Sequence, residues 1–365
     1  MENNNKKIFF VIKSLTLKGG GAERVFVNIV NNLYKNFKYL QIITFDKNLK
    51  NTFYPLNKNI IHSKIFYKEV NKRTSFISFI LRVIKIRNFL KKNNNSIYVC
   101  FMSSSFLLFA LANFGLKNQI IASEHMIYTY YKQNILQLIL LKLLFFKLNR
   151  IITVSKQAKN TFPKYMHSKI NVINNPIYIK HKIVEPIINK EKILLNIGRM
   201  EDQKDQLTLI KIFDEVRKKN KEVKLIIIGN GSMKSKIMNL INKLDLKNHI
   251  IILDFQKEIS KFYYKSFLYI STSKFESHGL TISEALNHKL PCLAFKSCEG
   301  INTLIKDNIN GFLIDDSNNK IKNFANKINY CLENKFLIEK MSHEILNIND
   351  DNKIYNEWNY LIKNL

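Results

Sequence analysis

Short apolar runs recur along this chain, and most are followed by a stretch whose apolar residues return every three or four positions. "KKIFFVIKSL" is the first such run and reads as a strand. "LKGGGAERVF" supplies a glycine-rich turn, and "VNIVNNLYK" continues with helical spacing. "LQIITF", "SIYVCFMS", "QIIASEH" and "RIITVS" predict further strands, with helices between them. Around residues 174–190, "NNPIYIKHKIVEPIINK" loses periodicity and carries Pro176 and Pro186, as a linker would. A second series then begins. "KILLNIGR", "VKLIIIGNG", "HIIILDF", "FYYKSFLYISTS", "PCLAF" and "GFLI" read as strands. "DQLTLIKIFDEVRKK", "SMKSKIMNLINKL" and "TISEALNHKL" read as helices. The final "NDDNKIYNEWNYLIKNL" has the spacing of an amphipathic helix and contains the only tryptophan, Trp358.

Apolar strands of four to eight residues alternating with helices imply parallel sheets covered on both faces. The expected fold class is therefore α/β, with two Rossmann-like doubly wound domains. The divisions are 1–178, 179–345 and a closing helix over 346–365 that packs back on the first domain. Ligands of open α/β sheets bind at the carboxyl ends of the strands, so two such domains facing each other would place a site in the cleft between them.

Composition narrows the picture. At 46% hydrophobic the chain can bury substantial cores, which argues against global disorder. Cys100, Cys292, Cys298 and Cys331 form no C-x-x-C pair and have no histidine at ligand spacing, which argues against a disulfide framework or a zinc site. The opening residues show no secretory signal pattern, and "NILQLILLKLLFF" is too short to span a bilayer. The net charge of +30 is unevenly held: residues 1–180 carry 29 Lys/Arg against 5 Asp/Glu, and residues 181–365 carry 29 against 23. A codon bias toward lysine would affect both halves alike. The asymmetry points to something anionic meeting the first half, whether a membrane surface, an anionic acceptor or nucleic acid. "KRTSFISFILRVIKIRNFLKK" (72–92) and "YYKQNILQLILLKLLFFKLNR" (130–150) place cations beside apolar faces, which suits an anionic bilayer and equally suits two core-covering helices with solvated lysines.

Several strand ends carry candidate chemistry. Gly19, Gly20 and Gly21 precede a helix, where close backbone approach and free N–H groups suit an anion, although no dinucleotide fingerprint is present. In "GRMEDQK", Arg199 and Lys204 follow a strand, and a guanidinium near an ammonium suits a diphosphate; two solvated cations are the plain alternative. Gly229 and Gly231 in "IIGNGS" form a tight turn after an apolar strand. His125 in "SEH" ends another strand and could donate, accept or act as a base, or simply be structural. "FESHGLTISEAL" sets Glu276 and Glu284 on either side of a strand-to-helix turn. They could favour the helix dipole, act as a hydrolytic pair, or accept hydrogen bonds from vicinal hydroxyls.

The order of these motifs resembles that of retaining glycosyltransferases of family 4, which have the GT-B fold. The matching residues are "GGAERV", "SEH", "VSK", "NNP", "GRMEDQK", "GNG", "FESHGLTISEAL" and "NGFLI", covering nearly the whole chain in order. "GGAE" with "SEH" looks most like bacterial enzymes that extend lipid-linked glycans. The resemblance implies that Glu276 contacts donor-sugar hydroxyls, helped by backbone N–H groups from Ser277, His278, Gly279 and Leu280. Glu284 would hold the ribose. Arg199 and Lys204 would neutralise the diphosphate leaving group, with Gly20 and Gly21 bringing backbone N–H groups to it. His125 would sit beside the transferred sugar, and Gly229 would line the donor site. It implies no bound metal and no cofactor beyond the nucleotide-sugar substrate.

The chain departs from the family in three places. "ESHG" stands where "EGFG" is frequent, Gln256 where glycine is common near the base, and Ile301 where proline is frequent. Together these readings predict a retaining hexosyltransferase that uses a UDP-sugar and a membrane-anchored glycan acceptor in polysaccharide, lipopolysaccharide or lipid-linked oligosaccharide synthesis. The protein would be cytoplasmic, peripheral on the inner face of the membrane. Another GT-B enzyme, such as a nucleotide-sugar epimerase or phosphorylase, is the first alternative. A basic nucleic-acid-binding protein is the second, and no recognition motif supports it.

Overall fold

The computed structural model describes residues 6–16, 20–46, 52–65, 76–132, 134–177, 191–298, 300–345 and 350–365. Gly19, residues 72–75 of the first basic segment and residues 178–190 of the linker lie outside them. The chain divides into two compact units, Met1–Pro176 with Asp350–Leu365, and Ile177–Asn349.

The first unit runs β1 (Ile8–Val11), α1 (Gly21–Leu33), β2 (Leu40–Thr44), β3 (Ile61–Lys64), α2 (Phe76–Lys92), β4 (Ile97–Phe101), α3 (Ser103–Ala112) and β5 (Gln119–Glu124). It continues with α4 (Tyr128–Tyr131), α5 (Ile135–Leu144), β6 (Arg150–Thr153), α6 (Lys156–Thr161) and β7 (Ile170–Val172). The strands form one parallel sheet in the order β3-β2-β1-β4-β5-β6-β7. β4 is buried at every position, so its run is continuously apolar rather than alternating. The sequence reading misses β3 and β7, the two edge strands, because "IHSK" and "INV" have no buried apolar run to show.

The second unit runs β8 (Ile193–Ile197), α7 (Gln206–Lys219), β9 (Lys224–Ile228), α8 (Lys234–Lys243), β10 (Ile250–Leu253) and α9 (Ser260–Lys265). β11 (Leu268–Ser271), α10 (Leu280–Asn287), β12 (Cys292–Phe295), β13 (Gly311–Ile314), α11 (Lys320–Glu333) and α12 (Lys335–Glu344) follow. Its parallel sheet has the order β10-β9-β8-β11-β12-β13. One reading needs correction. "FYYKSFLYISTS" is not one strand: its first residues belong to α9, and β11 starts only at Leu268. Tyr263 is fully buried from the helix, so an apolar run alone could not separate the two states.

The closing helix, α13 (Asp351–Lys363), belongs to the first unit. Asp350 caps it, accepting from the backbone N–H of Asn352 at 3.0 Å, and Trp358 buries its indole near Phe10 and Phe101. All four cysteines are buried: Cys100 in the first unit and Cys292, Cys298 and Cys331 in the second.

Candidate active site

In each sheet the strand order reverses once, between β1 and β4 in the first unit and between β8 and β11 in the second. At such a reversal the connections leave in opposite directions and open a crevice at the carboxyl ends. The second unit builds that crevice from polar groups. The ladder between β8 and β11 pairs Leu194 with Leu268 and Leu195 with Tyr269. Next, the Asn196 side-chain amide takes over, donating to the Ile270 carbonyl at 2.8 Å. The Tyr269 hydroxyl donates to the Ile197 carbonyl at 3.1 Å and bonds Thr281 Oγ1 at 2.7 Å, tying the end of β8 to the first turn of α10.

Directly past these ends, Lys204 Nζ pairs with Glu276 Oε1. The two side chains are only 17% and 11% exposed, so the pair is well shielded from water although it spans 72 residues of sequence. The surrounding backbone is held tightly. Thr272 Oγ1 donates to the carbonyls of Lys204 and Asp205 at 3.1 and 2.9 Å, and Gln203 Nε2 donates to the Phe275 carbonyl at 2.9 Å. Glycines make the close approaches. A Cβ at Gly198 would lie 3.3 Å from Lys204 Cε, so the lysine stem rests on bare backbone. A Cβ on Gly229 would overlap the Gly198 carbonyl oxygen. One on Gly300, where φ is +89°, would overlap the Glu276 carbonyl oxygen.

Gly279, in the left-handed region at φ +64°, caps α10 without help from any side chain. The leading N–H groups of a helix have no intrahelical acceptor, so the turn carrying Ser277, His278, Gly279 and Leu280 offers donors to an anion or a hydroxyl. His278 is buried, with Nε2 lacking a hydrogen-bond partner among the described residues. Burial lowers its pKa to about 4 against the opposing pull of Glu276, so the ring is neutral at physiological pH. Glu284 is buried one turn into α10. The Tyr263 hydroxyl donates to its Oε2 at 2.9 Å, and Tyr263 stacks on His288, whose Nδ1 lies 2.7 Å from the Glu284 carbonyl.

The structure thus brings Lys204, Glu276 and Gly229 to one place, with the α10 turn between Glu276 and Glu284. Arg199 is exposed at the end of β8, and its carbonyl accepts from Gln206 Nε2 at 3.1 Å. Gln256 donates to the Asp254 carbonyl at 3.0 Å, and no described contact joins it to the Lys204–Glu276 pair. The sequence reading did not single out Tyr263, Tyr269 or Gly300. "CEGINT" held a signal for Gly300, but nothing in "FYYK" marks which tyrosine reaches a carboxylate 21 residues away.

In the first unit, Gly20 and Gly21 open α1. A Cβ at Gly20 would overlap the Glu23 carboxylate, which folds back over the start of its own helix. The Ser14 hydroxyl donates to buried Asp46, which also accepts from the Leu15 N–H at 3.0 Å and Thr16 Oγ1 at 2.8 Å; these bonds fix the chain leaving β1. His125 follows β5. Its Nε2 lies 3.1 Å from Ser123 Oγ, and its ring stacks on Phe101 at 5.2 Å. The neighbouring Glu124 is buried and accepts from the Tyr131 hydroxyl and, at 2.9 Å, from the Met126 N–H. Burial pushes its pKa up to about 7, against the lowering effect of those hydrogen bonds. Among the described residues, no group of three or more His, Cys, Asp or Glu is placed to hold a metal ion.

Residues 179–347 match the family described as Glycosyl transferases group 1. An uncharacterized glycosyltransferase of Haemophilus influenzae is 25% identical over 366 residues, 97% of this chain and 99% of its own. The GalNAc-alpha-(1->4)-GalNAc-alpha-(1->3)-diNAcBac-PP-undecaprenol alpha-1,4-N-acetyl-D-galactosaminyltransferase of Campylobacter jejuni is 24% identical over 84% of each chain. The crystal structure of Anabaena Alr3699/HepE with UDP and glucose superposes with a TM-score of 0.81 at 18% identity, covering 99% of this chain and 100% of that one. Two parallel Rossmann-like sheets and full-length likeness to that structure define the fold as GT-B, and the group 1 match falls on the second of the sheets. Over its second unit the chain is similar to glycosyl transferases of group 1, and over its whole length it has the two-sheet GT-B fold.

Proposed function

We propose that the protein is a retaining family 4 hexosyltransferase that moves a hexose or N-acetylhexosamine from a UDP-sugar to a membrane-anchored glycan. The observation that carries this reading is the shielded Lys204–Glu276 pair at the strand reversal of the second unit, beside the uncapped turn of α10. In this reading Lys204 and Arg199 stabilise charge developing on the departing diphosphate, the main electrostatic task when a nucleoside diphosphate leaves. Glu276 and the N–H groups of Ser277, His278, Gly279 and Leu280 hold sugar hydroxyls. Glu284, anchored by Tyr263, holds the ribose diol, and Gly229 and Gln256 flank the nucleotide. His125, Gly20 and Gly21 are the first unit's contribution. The reading needs no metal and no cofactor, because protein cations do the leaving-group work. The UDP of the Anabaena structure and the undecaprenol glycan in the Campylobacter enzyme's name support the donor and acceptor classes.

The acceptor reading is supported by one face of the first unit. α2 and α5 both pack against α3. They leave Ile77, Ile80, Leu81 and Ile84 of α2 and Ile135, Leu136, Ile139 and Leu143 of α5 exposed. Lys91, Lys92, Lys142 and Lys147 lie on or just after these helices. Among the described residues no helix is long and apolar enough to cross a membrane. In this reading the face rests on the anionic inner leaflet, each cation adding about 1 kcal/mol near the surface. The test is UDP release from UDP-sugars with and without a polyprenyl-diphosphate glycan, alongside flotation with anionic vesicles. Release that depends on the acceptor supports transfer, and acceptor-independent conversion of the sugar supports the epimerase alternative. Absence of vesicle binding at low salt overturns the membrane part.

A further inference from the structure

Phe101 ends β4, at the carboxyl side of the strand reversal in the first unit, and is fully buried. Four rings from four elements surround it. His125, after β5, stacks on one side at 5.2 Å with 26° between planes. Trp358 of α13 stacks at 6.1 Å and 16°. Phe26 of α1 meets it edge-on at 5.0 Å, and Phe10 of β1 lies at 6.3 Å. The three near-parallel rings of His125, Phe101 and Trp358 run from the closing helix to the histidine. The residue after Phe101, Met102, adopts φ +69°, a conformation that a bulky side chain rarely takes, and its N–H bonds the Ser123 carbonyl at 2.9 Å. The chain leaving β4 is therefore pinned to the chain leading into His125.

We infer that Trp358 is a positioning residue for His125: the closing helix, contributed by the last residues of the chain, sets the imidazole plane through the Phe101 ring. Three features favour this over plain core filling. Trp358 keeps its indole N–H buried with no hydrogen-bond partner among the described residues, so the indole is not held in place by a polar bond. His125 Nε2 lies 3.1 Å from Ser123 Oγ, and the Phe101 face lies against the imidazole plane, so the ring that Trp358 stacks on is also one that orients the histidine. Phe101 also meets α1, so the same stack joins His125 to the helix that Gly20 and Gly21 open.

The inference rests on the proposed role of His125, and its test separates the two. The full-length protein, carbon-13-labelled at histidine, is compared as wild type, Trp358→Leu, Trp358→Phe and His125→Ala, the last assigning the His125 signal. Trp358→Leu should move the His125 resonance through the Phe101 ring. It should also lower kcat for sugar transfer by roughly ten- to a hundredfold, as a displaced reacting group does. UDP affinity, which the proposed function places mainly on Arg199, Lys204 and Glu284 of the second unit, should fall far less than kcat. Trp358→Phe, which keeps a ring and removes an unbonded N–H, should restore both signal and kcat. An unmoved His125 signal in Trp358→Leu, or equal kcat losses in the Leu and Phe variants, overturns the inference. Unchanged kcat in His125→Ala overturns the role of the histidine instead, while the resonance still reports whether the stack holds its ring.

Discussion

Replacing Lys204 by methionine removes an ammonium and keeps the stem that rests on Gly198. Glu276, 11% exposed at its side chain, is then left without its cation. Breaking a buried pair from one side costs about 3 to 5 kcal/mol, because the surviving charge is desolvated without compensation. Both partners keep some exposure here, so the lower end, about 3 kcal/mol, is the expectation. A unit of this size loses about 2–4 °C in melting temperature per kcal/mol, so its calorimetric transition should fall by about 6–12 °C. Glu276→Gln alone should cost about 1 kcal/mol, since Lys204 can swing toward water. The double variant should be more stable than Lys204→Met, because the stranded charge is gone. That inversion is the signature of the pair, and hydrophobic loss alone cannot produce it. The assay is scanning calorimetry of the full chain with UDP release measured in parallel, which should drop about a hundredfold or more in all three variants. A transition in Lys204→Met within about 2 °C of wild type, or a double variant less stable than either single one, would refute the reasoning.

Three further outcomes follow from the geometry. Tyr263→Phe removes a hydrogen bond to the Glu284 carboxylate worth about 1.5–3 kcal/mol, and UDP affinity measured by calorimetry should weaken at least about threefold. Gly300→Ala forces a Cβ onto the Glu276 carbonyl at a position already at φ +89°. It should abolish UDP-dependent stabilisation while leaving the first unit's melting unchanged. Glu124 has a folded pKa of about 7, above its ordinary 4.5, so it adds stability below the lower value that is lost as pH rises through the higher one. The loss is about 3 kcal/mol, and Glu124→Gln should gain on wild type in melting temperature between pH 5 and pH 8 and stay level with it above.

The central strands were legible because burial on both faces writes an apolar run into β4, into β8 apart from Asn196, and into β9 after Lys224. β3 and β7 were not, since an edge strand needs neither length nor apolarity once a neighbour supplies its hydrogen bonds. In the second unit the residue types at strand ends pointed to Lys204 and Glu276 separately. Their pairing is a property of the sheet order, which no local pattern encodes. Tyr263 and Trp358 were invisible as partners for the same reason. A ring on one helix finds its carboxylate or its stacking face through the fold, and periodicity reports only that the ring is buried.

The four buried thiols turn the protein into a reporter of its own breathing. Burial raises the pKa of Cys100, Cys292 and Cys331, so a thiol-reactive probe added to the native protein meets neither access nor thiolate. Labelling must wait for each unit to open, and Cys100 answers for one unit while Cys292 and Cys331 answer for the other. A UDP-sugar added to the solution should slow labelling at Cys292 and Cys331 most, and at Cys100 only as far as Gly20, Gly21 and His125 take part in holding it. Peptide mapping of the modified cysteines would then show which half of the chain a ligand has closed.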